Sequence, residues 1–284
     1  MKRQPNDAFS KHDGGIPMNL ERIASELDQA IRRAAARIGP HLSLTRKGAN
    51  PQTNLDTAVD DYLHKVLVQI VEAPILSEES HGRDHALIEA PFCWVIDPID
   101  GTMNAIAGVE DYAISVALIS TRPMEPVVGA VYIPRRDLMF IAASGLGSKR
   151  NGALIETTRQ ESRARPLLDI ASFGVPKDIP AVAERMSTAL HRLMSDGWVT
   201  RQTGAASIDI CRVASGAWSA FFEYRLMYWD YIAASLIAKE AGCRMLTVPS
   251  GALQSGEVAL EYDIIIARSQ VDLGRIASAT GIGR

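Results

Sequence analysis

The sequence predicts a mixed α/β (α+β) protein built from two sheets, with helices between and outside them. Three features carry that prediction. Two helical stretches come first, a run of short apolar strands follows, and strands then alternate with helices to the C-terminus. Leu20, Ile23, Leu27, Ile31, Ala34 and Ile38 recur at helical spacing and predict an amphipathic helix over 19–38, stopped by Gly39-Pro40. A loop rich in Gly, Asn, Pro and Thr, 45–56, leads to a second helix over about 57–72, with Val59, Leu63, Val66 and Ile70 inward. Apolar strands are expected at 74–78, 92–97, 112–120, 126–134 and 137–144, with Pro134-Arg135-Arg136-Asp137 as a hairpin connection. The alternating part reads as strand 167–173, helix 180–195, strand 198–203, helix 206–215, strand 217–223 and helix 230–241. Strands near 243–248 and 262–267 precede a closing helix near 271–279. Residues 1–18 are polar and read as a disordered arm, which leaves an N-terminal lobe at 19–160 and a C-terminal lobe at 161–284.

Bulk composition excludes several classes. Hydrophobic content of 47% and charged content of 22% are those of an ordinary globular protein. A net charge of −3 argues against general affinity for nucleic acid or an anionic membrane. Arg159, Arg163 and Arg165 are interrupted by Glu161 and read as a solvated linker. Cys93, Cys211 and Cys243 are odd in number, widely spaced and set among apolar residues. They read as reduced core thiols of a cytoplasmic protein, neither a disulfide framework nor a zinc site. No apolar run approaches the roughly 20 residues of a membrane helix. No apolar segment follows Lys2 and Arg3 as a secretory signal requires.

The most informative segment is Trp94-Val95-Ile96-Asp97-Pro98-Ile99-Asp100-Gly101-Thr102-Met103-Asn104. An apolar strand runs into two carboxylates, and Pro98 is expected to end it because proline cannot donate to a ladder. Gly101 then allows a turn and a close approach of backbone. Acids at i and i+3 on such a corner repel each other unless a proton or cation sits between them, and hard oxygen ligands suit Mg²⁺. A lone pair of this kind reads as a turn with solvated acids. Here Glu78-Glu79-Ser80 closes another short apolar strand, and Trp229-Asp230-Tyr231-Ile232-Ala233-Ala234 opens a helix that ends in Glu240-Ala241-Gly242.

These three separated motifs, in this order, resemble the inositol monophosphatase family, within the lithium-sensitive, magnesium-dependent sugar-phosphate and nucleotide phosphatases. The Gly147–Gly152 turn and Gly204-Ala205-Ala206 are weaker matches, and the likeness runs from about residue 20 to the C-terminus. The resemblance implies a layered α-β-α-β-α sandwich, a homodimer, and hydrolysis of a small-molecule phosphate monoester by a metal-activated water with two to three Mg²⁺. By the same resemblance Glu78, Asp97 and the carbonyl of Ile99 ligate the first ion. Asp97 bridges to the second, completed by Asp100 and Asp230, and a third ion shares Glu78. Thr102 is implied to orient the water, with Asp60 as the acid hydrogen-bonded to it. Phosphate oxygens would meet the backbone N–H groups of Gly101 and Thr102 where the chain turns into a helix. Substrate hydroxyls would meet Ala205, Ala206, Glu223 and Asp230. Lys47 stands where the family has a lysine near the metals, and equally reads as a solvated loop lysine.

Three departures bear on substrate. Position 205 is Ala where a hydroxyl residue is frequent. Asn54-Leu55-Asp56-Thr57 lacks the family's leading acid. Residues 105–112 lack the usual aromatic and proline. Met103-Asn104 speaks against the nucleotidase branch, which has a basic pair after the D-G-T. His81 and His85 sit beside Gly82 in a polar loop rather than on a zinc helix. Gly145-x-Gly147 lacks the third glycine of a dinucleotide fingerprint, and no phosphate-binding G-x-x-x-x-G-K-[ST] is present. The expected activity is therefore Mg²⁺-dependent hydrolysis of inositol monophosphate or a related polyol phosphate. Its rivals are a fructose-1,6-bisphosphatase or histidinol-phosphatase specificity and, in another class, the role of family members that associate with RNA polymerase.

Overall fold

The computed structural model describes residues 18–38, 51–79, 90–156, 167–170, 180–250 and 259–283. Helix α1 (Leu20–Ala35) starts where the Asn19 side chain accepts from Arg22 N at 2.9 Å, and the six apolar positions picked from its spacing are all buried. Helix α2 spans Pro51–Ile70, so it absorbs half of the expected 45–56 loop, and Asp56 and Asp60 share one helix a turn apart. Both helices cover one face of a seven-stranded sheet of β1 (Ile75–Ser77), β2 (Phe92–Asp100), β3 (Ala113–Thr121), β4 (Met124–Ile133), β5 (Leu138–Ala143), β6 (Ser148–Arg150) and β7 (Ala153–Leu154). The strands lie in sequence order. β1 is parallel to β2 and every other pair is antiparallel.

Pro98 does not end β2. The strand continues to Asp100, but its pairing with β3 jumps from Asp97↔Ser115 to Asp100↔Ala113. A bulge thus absorbs the proline, whose missing N–H costs no ladder bond there. Beyond it, Gly101 adopts φ +86° and caps the short helix α3 (Thr102–Ala107).

The second sheet takes the order β11 (Arg244–Pro249), β12 (Glu261–Ala267), β10 (Ala220–Met227), β8 (Leu167–Ile170), β9 (Val199–Arg201). Its outer face is covered by α4 (Pro180–Ser195) and α7 (Gln270–Thr280), which pack on each other around Leu168, Phe222, Ile265 and Ile276. Between the sheets lie α5 (Ala206–Ala214) and α6 (Tyr228–Glu240), side by side. The order is helices, sheet, helices, sheet, helices, the five-layer sandwich implied by the sequence. Between Asp230 near its start and Lys239 and Glu240 at its end, helix α6 is buried on every side, as a helix between two sheets must be. Its contact with β4 is so close that a Cβ on Gly129 would stand 2.6 Å from the carbonyl oxygen of Ala233. At its far end Glu240 accepts from Gly145 N at 3.0 Å and Gly147 N at 2.9 Å, fastening the β5–β6 turn. The E-A-G and glycine-turn motifs therefore meet as one structural joint. The expected lobe boundary, the arm before residue 18, Lys47, and His81 with His85 lie outside the described residues. No helix among the described residues is long and apolar enough to cross a membrane.

Candidate active site

Three chain segments converge at the start of α6, between the two sheets. Glu78 follows the last residue of β1, and its N–H donates to Ile96 O at 3.2 Å, which keeps it in line with β2. Asp97 lies at the β2 bulge and Asp230 in the first turn of α6. One carboxylate oxygen from each of Glu78, Asp97 and Asp230 lies within 4.8 Å of the others. Asp97 is almost fully buried and its Oδ1 accepts from Ile99 N at 3.0 Å. Burial, then the charges of Glu78, Asp100 and Asp230, push Asp97 well above the usual carboxylate range. Loss of solvent, then Asp100 and Glu78, does the same to Asp230.

Asp100 stands beside this trio rather than within the 4.8 Å group, and α5 holds it. Its Oδ2 accepts from Ser207 N at 2.8 Å and from Ser207 Oγ at 2.5 Å. Burial raises its pKa to about 7 against the pull of those bonds. Asp97 and Asp100 are buried and Glu78 and Asp230 half-buried, and carboxylates crowded this closely repel one another when ionised. A hard divalent cation is the chemistry that resolves such a donor set. The residues present therefore fit a metal of that class.

The corner beyond β2 is set by packing. A Cβ on Gly101 would meet Asp111 O at 3.0 Å, Ala205 Cβ at 3.1 Å and Gly204 O at 3.3 Å, so only glycine brings the D-G-T turn this close to the 204–206 segment. Thr102 Oγ1 donates to Ile99 O at 2.9 Å and faces Asp56 Oδ1 at 3.3 Å. The acid at Thr102 is thus Asp56, and the expected pairing with Asp60 is corrected. Because α2 begins at Pro51, the acid nearer its N-terminus reaches the corner, while Asp60, a turn further on, faces β1. There it accepts from Ser77 Oγ at 2.5 Å. Burial, then Glu79 and Glu78, raises Asp56 to about 7.

On the opposite wall, Ala205 caps α5 and Ala206 opens it, both buried. Glu223 was expected to end its strand, but β10 runs on to Met227. Its register with β12 shifts between Glu223 and Leu226, and Arg225 there takes φ +60°. Glu223 is 5% exposed and its Oε2 has no hydrogen-bond partner. Burial, then Asp230, Asp100 and Asp209, push its pKa well up.

A supporting network was not singled out from the sequence. Asn104 Nδ2 donates to Asp111 O at 2.7 Å and Thr203 O at 2.9 Å, tying α3 to the segment before α5. Arg212 bonds Asp111 Oδ1 at 2.6 Å and Asp209 Oδ1 at 3.1 Å, and Thr203 Oγ1 donates to Asp209 Oδ2 at 2.5 Å. The only sequence signal was the spacing of Asp209 and Arg212 at i and i+3 on a predicted helix.

A five-layer sandwich with convergent carboxylates between its sheets, Asp97 buried and Glu78 and Asp230 half-buried, is the arrangement that the sequence resemblance implies for a metal-dependent phosphatase. The chain belongs to the inositol monophosphatase family, whose model matches residues 19–282. It is 36% identical over 192 residues to the fructose-1,6-bisphosphatase/inositol-1-monophosphatase of Aquifex aeolicus, covering 66% of this chain and 69% of that protein. It is 32% identical over 221 residues to the Nus factor SuhB of Haemophilus influenzae, covering 75% of this chain and 79% of that one. The solved structure of Mycobacterium tuberculosis SuhB superposes with a TM-score of 0.73 at 26% identity, covering 92% of this chain and 98% of that chain. The protein is accordingly a phosphoric monoester hydrolase of a metal-dependent family that acts on small-molecule phosphates.

Proposed function

We propose that this protein is a Mg²⁺-dependent phosphomonoesterase that hydrolyses inositol monophosphate or a related polyol phosphate, working as a homodimer in the cytoplasm. The observation that carries the reading is the convergence of Glu78, Asp97 and Asp230 beside a buried glutamate, Glu223, with an unpartnered oxygen. Glu78, Asp97, Asp100, Asp230 and the carbonyl of Ile99 would hold two to three ions. When bound, Mg²⁺ lowers the pKa of a water and offsets the charge of the phosphate. The backbone N–H groups of Gly101 and Thr102, at the start of α3, orient the phosphate oxygens. Thr102 Oγ1 aligns the attacking water, and Asp56 Oδ1 takes the proton that passes through the threonine. An acid raised to about 7 accepts that proton more readily than a free aspartate does. Glu223, Ala205, Ala206 and Asp230 form the wall facing the alcohol part of the substrate.

The test is a panel of phosphate esters with purified protein and Mg²⁺. Inositol 1-phosphate should exceed fructose 1,6-bisphosphate and histidinol phosphate in kcat/KM, and millimolar Li⁺ should inhibit. A preference for either rival substrate moves the specificity within the same site, and no release from any ester removes the reading.

A second reading, a Nus factor, is favoured by the name of the Haemophilus influenzae relative. An Asp97→Asn variant that releases no phosphate yet restores growth to a strain lacking the protein would favour that reading over the enzymatic one.

A further inference from the structure

Glu78 is the metal-cluster acid with the least support from regular structure. Strand β1 has three residues and lies at the edge of its sheet, paired among the described residues with β2 through Ile75↔Trp94, Leu76↔Val95 and Ser77↔Ile96, with one further bond from Glu78 N to Ile96 O at 3.2 Å. Short edge strands fray, and the direction of a carboxylate carried at the end of one is fixed more firmly when a side chain fastens the strand to the neighbouring layer. Ser77, immediately before Glu78, supplies a candidate. It is fully buried, its Oγ donates to Asp60 Oδ1 at 2.5 Å, and the same Oγ accepts from Glu79 N at 3.3 Å. One hydroxyl thus brackets Glu78 from both sides. Asp60 is 8% exposed, and its other carboxylate oxygen lies 3.4 Å from His64 Nε2 one turn along α2, within ion-pair reach but without a hydrogen bond.

We propose that the buried Asp60–Ser77 hydrogen bond is a positioning device for the cation site: it anchors the end of β1 to α2 and so fixes the direction from which Glu78 reaches the ion. Helix α2 then carries two acids with distinct work. Asp56 meets the corner at Thr102, and Asp60, one turn later, meets the strand that bears Glu78. Their fixed separation on a rigid helix sets the two ligand-bearing segments at a constant spacing. The inference rests on the metal site proposed above.

Partners that orient a metal ligand cost 10–100-fold in affinity when removed, as a general magnitude. The experiment measures Mn²⁺ binding by electron paramagnetic resonance in the purified protein and in Ser77→Ala, Asp60→Ala and Asp60→Asn, with kcat and KM at saturating Mg²⁺ alongside. Ser77→Ala and Asp60→Ala should weaken Mn²⁺ binding about tenfold or more, with substrate KM unchanged. Asp60→Asn should rescue binding, because its amide oxygen still accepts from Ser77 Oγ and its amide nitrogen can donate to His64 Nε2. If Asp60→Asn binds as weakly as Asp60→Ala, Asp60 acts through its charge and the positioning role is wrong. Undiminished binding in both alanine variants overturns it equally. Should Ser77→Ala fail to fold, the Asp60→Ala and Asp60→Asn pair still decides. Glu78→Gln separates this inference from its foundation: if that change leaves Mn²⁺ binding intact, the metal-site reading itself fails.

Discussion

The two walls of the cleft treat their acids differently. On the wall formed by the first sheet and its flanking helices, the acids are held by named donors. Asp97 takes Ile99 N, Asp100 takes Ser207 N and Oγ, Asp56 faces Thr102 and Asp60 takes Ser77. On the wall formed by β10, Glu223 is buried with Oε2 unpartnered; Asp56 also leaves one oxygen, Oδ2, unpartnered, but its Oδ1 faces Thr102. Orientation of metal ligands must exist before the ion arrives, since hydrogen bonds already made cost no reorganisation later. A substrate contact works the other way. Its missing partner is supplied by the ligand, and the cost of leaving it unpaired is what discriminates between ligands.

Breaking the held wall at its centre should have the largest effect. Asp97 stands among Glu78, Asp100 and Asp230, so Asp97→Asn removes the charge with little change of shape. Phosphatase activity should fall at least about a hundredfold, in the range of losing a principal electrostatic catalyst. Near-wild-type turnover at saturating Mg²⁺ would refute the metal assignment. A smaller loss is expected from Ser207→Ala, which keeps the backbone bond to Asp100 and deletes the hydroxyl one. Mg²⁺ requirement, read as the concentration giving half-maximal rate, should rise about tenfold, at the lower end of such losses. An unchanged requirement would mean that the backbone bond alone orients Asp100.

The open wall is sharpened by Glu223→Ala. A site built to pair with hydroxyls penalises a substrate lacking them less once its own polar group is gone. The kcat/KM for inositol monophosphate should drop several-fold, while p-nitrophenyl phosphate, with no hydroxyls to offer, should be nearly unaffected. Equal losses on both would assign Glu223 to the fold or to the metals.

The same contrast explains what the sequence made legible. Residues at fixed positions along one element were readable: the six buried apolar positions over 19–38, the neighbouring acids Asp97 and Asp100, and the glycine at 101 that allows a turn and a close backbone approach. Partnerships across elements were not. Ser207 is an ordinary helical serine until α5 meets β2, and Asp209 and Arg212 gain meaning only when Asp111 arrives from the other side. Asp56 and Asp60 show the limit most sharply. Both lie on the inward side of one helix, and which meets Thr102 depends on where α2 begins and how it crosses β2, neither of which periodicity encodes. Pro98 misled for a related reason. A proline ends a strand unless a bulge absorbs it, and bulges are set by the neighbouring strand.

The held wall also predicts how stability should depend on pH, the smallest effect of the set. Asp56 and Asp100 are each raised from 3.8 to about 7, in both cases chiefly by burial. With a folded pKa above the unfolded one, the native state binds more protons in that interval, so stability falls as pH rises through it. The cation-free protein should therefore lose stability between about pH 4 and pH 7, the interval those values bracket. Mg²⁺ binds the ionised cluster in the native state alone and adds stability by mass action. Protons and Mg²⁺ compete for the same oxygens, so the ion's contribution should be small at pH 5 and larger at pH 8. Differential scanning fluorimetry with and without saturating Mg²⁺ at both pH values measures this directly. The Mg²⁺-induced rise in Tm should be greater at pH 8 by at least about 2–4 °C, the shift that roughly 1 kcal/mol produces in a protein of 150–250 residues. An equal rise at both values would mean that the ion does not bind the buried carboxylates. Asp97→Asn, which lowers the cluster's charge, should shrink the difference, whereas Glu223→Ala, on the wall that waits for substrate, should leave most of it in place.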